Sequence, residues 1–240
     1  MKFLRMEALG GDGVIFHGFG TRGSGRENAC NRQWRGQTVQ WAGEEFPLVS
    51  TRQVHGNGVV IWEGGSQKLE EIWPQEGDAL ITRIPGYALG VFTADCLPIL
   101  LFDPVKRVVG IVHAGWRGTA KGISLKAIEK MTEFFHCQGE NMIAALGPAI
   151  GPCCYEVDAP VKEAFAAGEL PWDLVATRHR RDKWSLDLYR ANAYLLQKEG
   201  LKRENIHRLE LCTSCRRDIF CSYRAEGKVL EEQLSFIALQ

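Results

Sequence analysis

Two apolar runs flanking a short turn constrain this chain more than any other feature. Leu97 to Phe102 and Val108 to Val112 are rich in branched aliphatic residues and carry no charge. Runs of that length and makeup read as buried strands, and the Asp103-Pro104 step between them reads as a turn. If the strands pair antiparallel, Cys96, just before the first, and His113, just after the second, emerge at one sheet edge. Gly115-Trp116-Arg117-Gly118 then leads into a helical pattern. A thiol, an imidazole, a guanidinium and a helix N-terminus therefore converge, and the stretch reads as an active site.

The remaining sequence narrows the class of protein. Of 240 residues, 45% are apolar and 24% charged, ordinary values for a globular chain with material for a sizeable core. Lys+Arg and Asp+Glu balance at 29 each, which points away from a dedicated nucleic-acid or anionic-membrane surface. The apolar runs are strand-length, short of the ~20 residues that span a bilayer. Lys2, Arg5 and Glu7 interrupt the N-terminus where a signal peptide needs an unbroken apolar segment. A cytoplasmic monomer is the expectation, its eight cysteines serving as thiols or ligands rather than as a disulfide framework.

Taken in order, the chain reads as one α+β domain, a layered sandwich of mixed β-sheets flanked by helices. Val14 to Phe19 is a strand that runs into Thr21-Arg22-Gly23-Ser24-Gly25. That loop either offers N–H groups and a guanidinium to a phosphate or is an ordinary surface turn, since it lacks the P-loop pattern. Gln37 to Glu45 has no clear period. Pro47 to Val54 and Val59 to Trp62 read as strands about an Asn57-Gly58 turn, putting His55 at a hairpin tip or strand end. Gly64 to Glu76 reads as loop, and Asp78 to Thr82 and Tyr87 to Phe92 as strands. Apolar residues at Ile123, Ala127, Ile128, Met131, Phe134 and Phe135 predict a helix from Thr119 to about His136 with Thr119 as N-cap. Beyond the strand Met142 to Leu146, helices are expected from an Asp158 cap to Gly168 and, capped by Ser185, over Leu186 to Glu199. Ile206 to Leu211 and Leu234 to Leu239 read as strands. Cys212-x-x-Cys215 with Cys221 and His207 can make a structural zinc site, but buried thiols are the preferred reading.

Several motifs stand in a fixed order: QVHG (Gln53 to Gly56), GDALIT (Gly77 to Thr82), TADCLPILLFDP (Thr93 to Pro104), VHAGWRGTAKG (Val112 to Gly122), LGPAIGPCCYEV (Leu146 to Val157) and FCSYRAEG (Phe220 to Gly227). Together they closely resemble the YfiH-type family, whose older name is multicopper polyphenol oxidoreductase (laccase). The resemblance covers about Phe16 to Gly227 and implies a single catalytic domain over residues 1–240, with a sandwich akin to the cysteine-hydrolase-like fold of certain deamidating toxins. It implies zinc held by His55, Cys96 and His113. It also implies phosphorolysis of adenosine, inosine, guanosine and methylthioadenosine, deamination of adenosine and, for some bacterial members, clearance of misincorporated peptidoglycan precursors. One departure lies between Gly20 and Arg32: Arg22 and the Asn31-Arg32 pair match, but the family's Ser-Leu-Asn element is missing, which bears on substrate range or rate.

The chemistry of these residues can be weighed directly. Two histidines and a cysteine suit zinc, and three protein ligands leave an open position, as a catalytic site needs. Copper is the alternative metal for such a set. A laccase, however, needs a further histidine cluster, and His17, His136, His179 and His207 contain no His-x-His pair. The H-x-E…P-C-x-x-C pattern of nucleobase deaminases is also absent, so adenosine deamination would follow another plan. Cys96, His113 and His55 are the candidate catalytic set; Arg22, Arg117 and Arg52 are the candidate phosphate donors, with Arg224 behind them and a surface ion pair the commoner fate of each. Asp78 and Asp95 are candidates to fix a histidine tautomer, Asp95 equally to cap a turn. Tyr155 and Trp116 are candidates to stack on a purine or to belong to the core. A metal-free alternative makes Cys96 a nucleophile and His113 its base in an amide or ester hydrolase.

Overall fold

The computed structural model describes residues 3–10, 13–24, 26–27, 37–41, 43–64, 72, 75–168, 170–228 and 231–240. Its strands are β1 (Phe3–Leu4), β2 (Ile15–Gly20), β3 (Arg26–Glu27), β4 (Thr38–Trp41), β5 (Glu44–Val49), β6 (Val59–Ile61), β7 (Ala79–Thr82), β8 (Ala88–Thr93), β9 (Leu97–Asp103), β10 (Val108–Ala114), β11 (Ile143–Leu146), β12 (Glu156–Val157), β13 (Ala176–Arg180), β14 (Lys183–Leu186), β15 (Ile206–Arg208) and β16 (Glu231–Leu239). Its helices are α1 (Trp116–Ala120), α2 (Ile123–Phe135), α3 (Ala159–Ala167), α4 (Trp172–Val175), α5 (Leu188–Lys198) and α6 (Tyr223–Glu226). They build a mixed α/β fold. One sheet runs β1-β2-β16-β8-β5-β4 with β3 on β16, a second runs β15-β11-β9-β10-β7-β6, and a short third runs β12-β14-β13.

The hairpin β9–β10 forms antiparallel, registered from Val108↔Asp103 to Ala114↔Leu97. Asp103 closes its turn by accepting the N–H groups of Val105 and Lys106, both at 2.9 Å. Both faces of this hairpin are covered, which is why its sequence is continuously apolar rather than alternating. Leu97, Ile99, Leu101, Val108 and Val112 pack with α2 and α5, through Ile123, Met131 and Leu195 among others. Leu100, Phe102, Val109 and Ile111 face the first sheet and meet Leu89, Val91 and Ile237. Each fully buried Leu or Ile contributes roughly 1.5–3 kcal/mol relative to exposure, so this layer contributes heavily to stability.

Several expected elements are redrawn. Residues 47–54 and 59–62 do not form a hairpin: β5 pairs with β4 and β8, whereas β6 pairs parallel with β7 in the other sheet. The intervening loop, with His55, is therefore a crossover between sheets. A turn signal reports only local bending; which sheet each flanking strand joins is a long-range matter. The expected helix after Arg117 is broken in two. Gly122, at φ 74°, separates α1 from α2 and caps the latter, while Thr119 is buried inside α1. Its hydroxyl accepts from Asn192 Nδ2 at 3.1 Å, and Asn192 Oδ1 accepts from Ser124 at 3.0 Å, so a buried polar network ties α1, α2 and α5 together. Asp187, not Ser185, caps α5, accepting the Arg190 N–H; Ser185 lies in β14. Residues 38–41 form a strand although Gln37 to Glu45 has no clear period, the strand expected from Pro47 starts earlier, at Glu44, and ends at Val49, and the strand expected to reach Leu211 ends at Arg208.

Candidate active site

The register of β9 and β10 places His113 opposite Pro98. The ladder ends one pair later at Ala114↔Leu97, and Cys96 and Gly115 are the residues just beyond it on the two strands: a Cβ on Gly115 would lie 2.8 Å from Cys96 Sγ and 3.1 Å from His55 Cδ2. Gly115 thus leaves the space in which the thiol and the second imidazole meet. One donor atom each from His55, Cys96 and His113 lies within 4.8 Å of the others. The two imidazoles stand edge to face, with centroids 4.8 Å apart. His113 is buried, Cys96 half-buried and His55 exposed, so the cluster opens to solvent on the His55 side.

His55 reaches the hairpin because its loop is latched to both sheets. Gln53 acts as a surrogate strand residue: its amide donates to Phe92 O and accepts from Phe92 N–H, both at 2.8 Å. On the other side, the Asp78 carboxylate accepts the N–H groups of Val54, His55 and Gly56 at 3.2, 3.0 and 2.7 Å. The same carboxylate meets His113 Nδ1 at 2.7 Å. One buried aspartate therefore orients both histidines, one through its ring and the other through its backbone. The arrangement holds His55 at φ 57°, a left-handed conformation costly for a non-glycine residue. Gly118 completes the fit, since a Cβ there would lie 2.8 Å from Gly56 O.

The electrostatics follow from this packing. Burial alone would raise the Cys96 thiol, but the charge of His113 and hydrogen bonds from both histidines overcome it and bring the pKa down to about 6. Burial likewise opposes charge on His113, yet the Cys96 thiolate and the Asp78 carboxylate raise it to about 10. Burial disfavours the Asp78 anion, and the His113 contact and three backbone N–H groups overcome that, leaving its pKa lowered. The site is a carboxylate–imidazole–thiolate line. With Nδ1 of His113 facing Asp78, Nε2 is its nitrogen available for another partner. Two imidazoles and a low-pKa thiol in this geometry suit zinc, with room left for a further ligand on the open side.

Asp95, the residue before Cys96, caps rather than orients a histidine. Its carboxylate accepts from Thr213 Oγ1 and from Arg224 N–H, each at 2.6 Å, and its carbonyl accepts from Ile150 N–H at 2.9 Å. These contacts hold it at φ 91° and so set the direction in which Cys96 leaves the strand.

The candidate arginines diverge. Arg22 donates to Phe220 O at 2.9 Å and to Glu226 Oε1 at 2.5 Å, with Glu231 beyond; it ties the early loop to the C-terminal segment. Arg52 pairs with Glu76. Arg224 donates to the carbonyls of Cys154 and Glu156 and lies over the Tyr155 ring at 5.2 Å. Arg117, two residues past Gly115, is exposed and lies 4.3 Å over Trp116; among the described residues its guanidinium makes no ion pair. Asn31 and Arg32 lie outside the described residues.

The thiol-rich loop is rearranged relative to expectation. Cys212 and Cys215 do not join Cys221 and His207 but approach Cys153 and Cys154. Cys221 is buried, and its N–H donates to Gln233 Oε1 at 2.7 Å. The available signal was arithmetic: a Cys-Cys pair and a Cys-x-x-Cys make four sulfurs. The roles of Gly115 and Gly118 had no such signal.

Fold and site together define a mixed α/β protein with a histidine–cysteine–histidine centre at the seam of two sheets. The chain belongs to the family described as multi-copper polyphenol oxidoreductase laccase, which matches residues 18–240, and within it to the YfiH-type proteins. It is 32% identical over 201 residues to purine nucleoside phosphorylase LACC1 of Homo sapiens, covering 82% of this chain and 44% of the human one. It is 36% identical over 188 residues to adenosine deaminase RL5 of an unknown prokaryotic organism, covering 75% and 70%. The crystal structure of YlmD from Geobacillus stearothermophilus matches with a TM-score of 0.81 at 26% identity, covering 100% of this chain and 99% of that one. The chain spans about half the length of several curated relatives it matches. Among the described residues, no helix is long and apolar enough to cross a membrane.

Proposed function

We propose that the chain is a zinc-dependent purine nucleoside phosphorylase that also deaminates adenosine. Its substrates would be adenosine, inosine, guanosine and methylthioadenosine, split to base and ribose 1-phosphate. The observation that carries this reading is the single carboxylate, Asp78, that brings His55 to Cys96 and His113 with all three donors within 4.8 Å. It is supported by relatives named for each of the two activities. His55, Cys96 and His113 would hold the zinc, which when bound supplies an open coordination position and a water of lowered pKa.

The chain's own residues account for the rest. Asp78 keeps the His113 proton at Nδ1 and leaves Nε2 facing the cluster. Arg117, at the start of α1 and without a carboxylate partner among the described residues, is the donor we assign to phosphate. Arg22 and Arg52 already carry matched charge and would serve by holding loops in place. In phosphorolysis a phosphate oxygen bonds to ribose C1′ as the bond to the base breaks, and the base leaves with the electron pair and takes a proton. Tyr155, whose pKa burial pushes up, stays protonated as a donor beside the site. Deamination of adenosine adds water at C6 and releases ammonia.

Inosine and adenosine incubated with the purified protein, with and without phosphate, test the proposal by product identification. The expected products are hypoxanthine and adenine with ribose 1-phosphate, dependent on phosphate, and inosine with ammonia from adenosine. Absence of all of them overturns it. A Cys/His amide or ester hydrolase is the second reading, favoured by the Cys96–His113–Asp78 line with its low thiol pKa. Metal content separates the two: zinc that disappears in Cys96→Ala belongs to the first. Copper oxidase chemistry has less support, because the four other histidines join neither cluster of donor side chains.

A further inference from the structure

A second cluster of donor side chains lies outside this site. The loop after β11 turns back on itself, with Cys154 and Tyr155 N–H groups donating to Gly151 O at 3.0 Å, and presents Cys153 and Cys154 side by side. The loop after β15 runs alongside it: Ala149 and Cys212 form a parallel bridge, and Arg216 N–H donates to Cys212 O at 3.0 Å, turning Cys215 toward the first loop. The four sulfurs all lie within 4.8 Å of one another. Cys215 Sγ is 3.4 Å from Cys154 Sγ and 3.6 Å from Cys153 Sγ.

These distances discriminate between chemistries. A disulfide brings its sulfurs to about 2.05 Å and selects one partner. Here Cys215 stands almost equally far from two. Four thiolates about 2.3 Å from a central zinc lie about 3.8 Å apart along the edges of a tetrahedron, close to the observed spacing. Gly151 N–H donates to Cys212 Sγ at 3.2 Å, the kind of contact that stabilises a metal-bound thiolate. Gly151 also leaves room for the cluster, since a Cβ there would lie 3.3 Å from both Cys153 Sγ and Cys212 Cβ. Cys153 and Cys215 are exposed and Cys154 and Cys212 half-buried, so the group is reachable by a metal but closed once four donors engage.

We propose that Cys153, Cys154, Cys212 and Cys215 form a second, structural zinc site that staples the two loops together. Binding releases the four thiol protons and leaves no open position for substrate. Its consequence runs through Thr213, which lies between two of the ligands and donates to Asp95 at 2.6 Å, and through Ile150, whose N–H donates to Asp95 O. The staple thereby steadies the strained residue that aims Cys96. This inference rests on the sulfur geometry and is independent of the nucleoside chemistry.

The test is metal analysis of the full chain purified under reducing conditions with zinc present. About two zinc ions per chain are expected, falling to about one in Cys153→Ser/Cys215→Ser and to about one in His55→Ala/Cys96→Ala. Cobalt loaded into His55→Ala/Cys96→Ala should show sulfur-to-metal charge transfer and intense tetrahedral absorption. That variant leaves the four-cysteine loops intact, so it carries the test even if the serine variant fails to fold. A natively folded His55→Ala/Cys96→Ala protein that binds neither zinc nor cobalt overturns the proposal. So does a disulfide within the quartet in the reduced preparation, or iron in place of zinc.

Discussion

The two cysteine-bearing clusters use the same element of chemistry to opposite ends. At the seam of the sheets, one thiol meets two imidazoles, a buried carboxylate stands behind them, and a glycine leaves the space in which the thiol and the exposed imidazole meet. On the surface, four thiols converge on one another, with backbone N–H as support and no carboxylate among the donors. Three donors backed by Asp78 leave a coordination position and a tuned thiol; four sulfurs saturate a tetrahedral ion. On the two proposals made above, donor number and what stands behind the donors, rather than cysteine itself, separate a reactive centre from a staple.

Substitutions at the two clusters should have effects of graded size. Cys96→Ala is expected to reduce nucleoside turnover to background while the surface quartet keeps its metal; metal analysis alongside product assays checks both halves. Gly115→Ala comes next. Its Cβ would sit 2.8 Å from the thiol, so Cys96 or His55 must move. A displacement near 1 Å costs about 100-fold in rate, read as kcat/KM for inosine. Asp78→Asn keeps the shape but removes the charge that orients both histidines. The expected loss is about 10–100-fold in activity or zinc affinity, with the surface site unaffected.

Milder effects are expected at the surface quartet and at the arginines. Cys153→Ser/Cys215→Ser should lower Tm by several degrees, since each kcal/mol corresponds to roughly 2–4 °C at this size, and should lower kcat less than 10-fold in keeping with an indirect path through Asp95. A loss as large as that of Gly115→Ala would mean that the quartet is part of the reactive centre. Smallest of all is the split between arginines. Arg117→Ala should raise KM for phosphate several-fold, whereas Arg22→Ala should leave KM unchanged and cost up to about 1 kcal/mol from its partly exposed pairs with Glu226 and Glu231. Phosphate titrations and thermal melts distinguish them.

Much of this organisation is legible in the one-dimensional chain. The uncharged runs on either side of Asp103-Pro104 determine a buried hairpin, and a hairpin's register is enough to bring Cys96 and His113 to one end. The three- and four-residue spacing from Ile123 onward determines a helix on its outer face. These features are local: strand periodicity, a turn signal and amphipathic spacing act within a few residues of themselves.

The remaining features depend on partners that lie far along the chain. The Asn57-Gly58 turn looks like a hairpin, yet β5 and β6 join different sheets, and that split is what carries His55 to the seam. Thr119 has the chemistry of a cap but is drawn into a buried network with Asn192. Arg22 and Arg117 look alike in sequence, and among the described residues distant carboxylates claim only the first. Four cysteines separated by some sixty positions become neighbours because β11 and β15 pair in parallel. In each case the deciding partner lies far along the chain. Pairings of that kind depend on which apolar surfaces are buried together, a quantity the whole fold sets and no short segment contains.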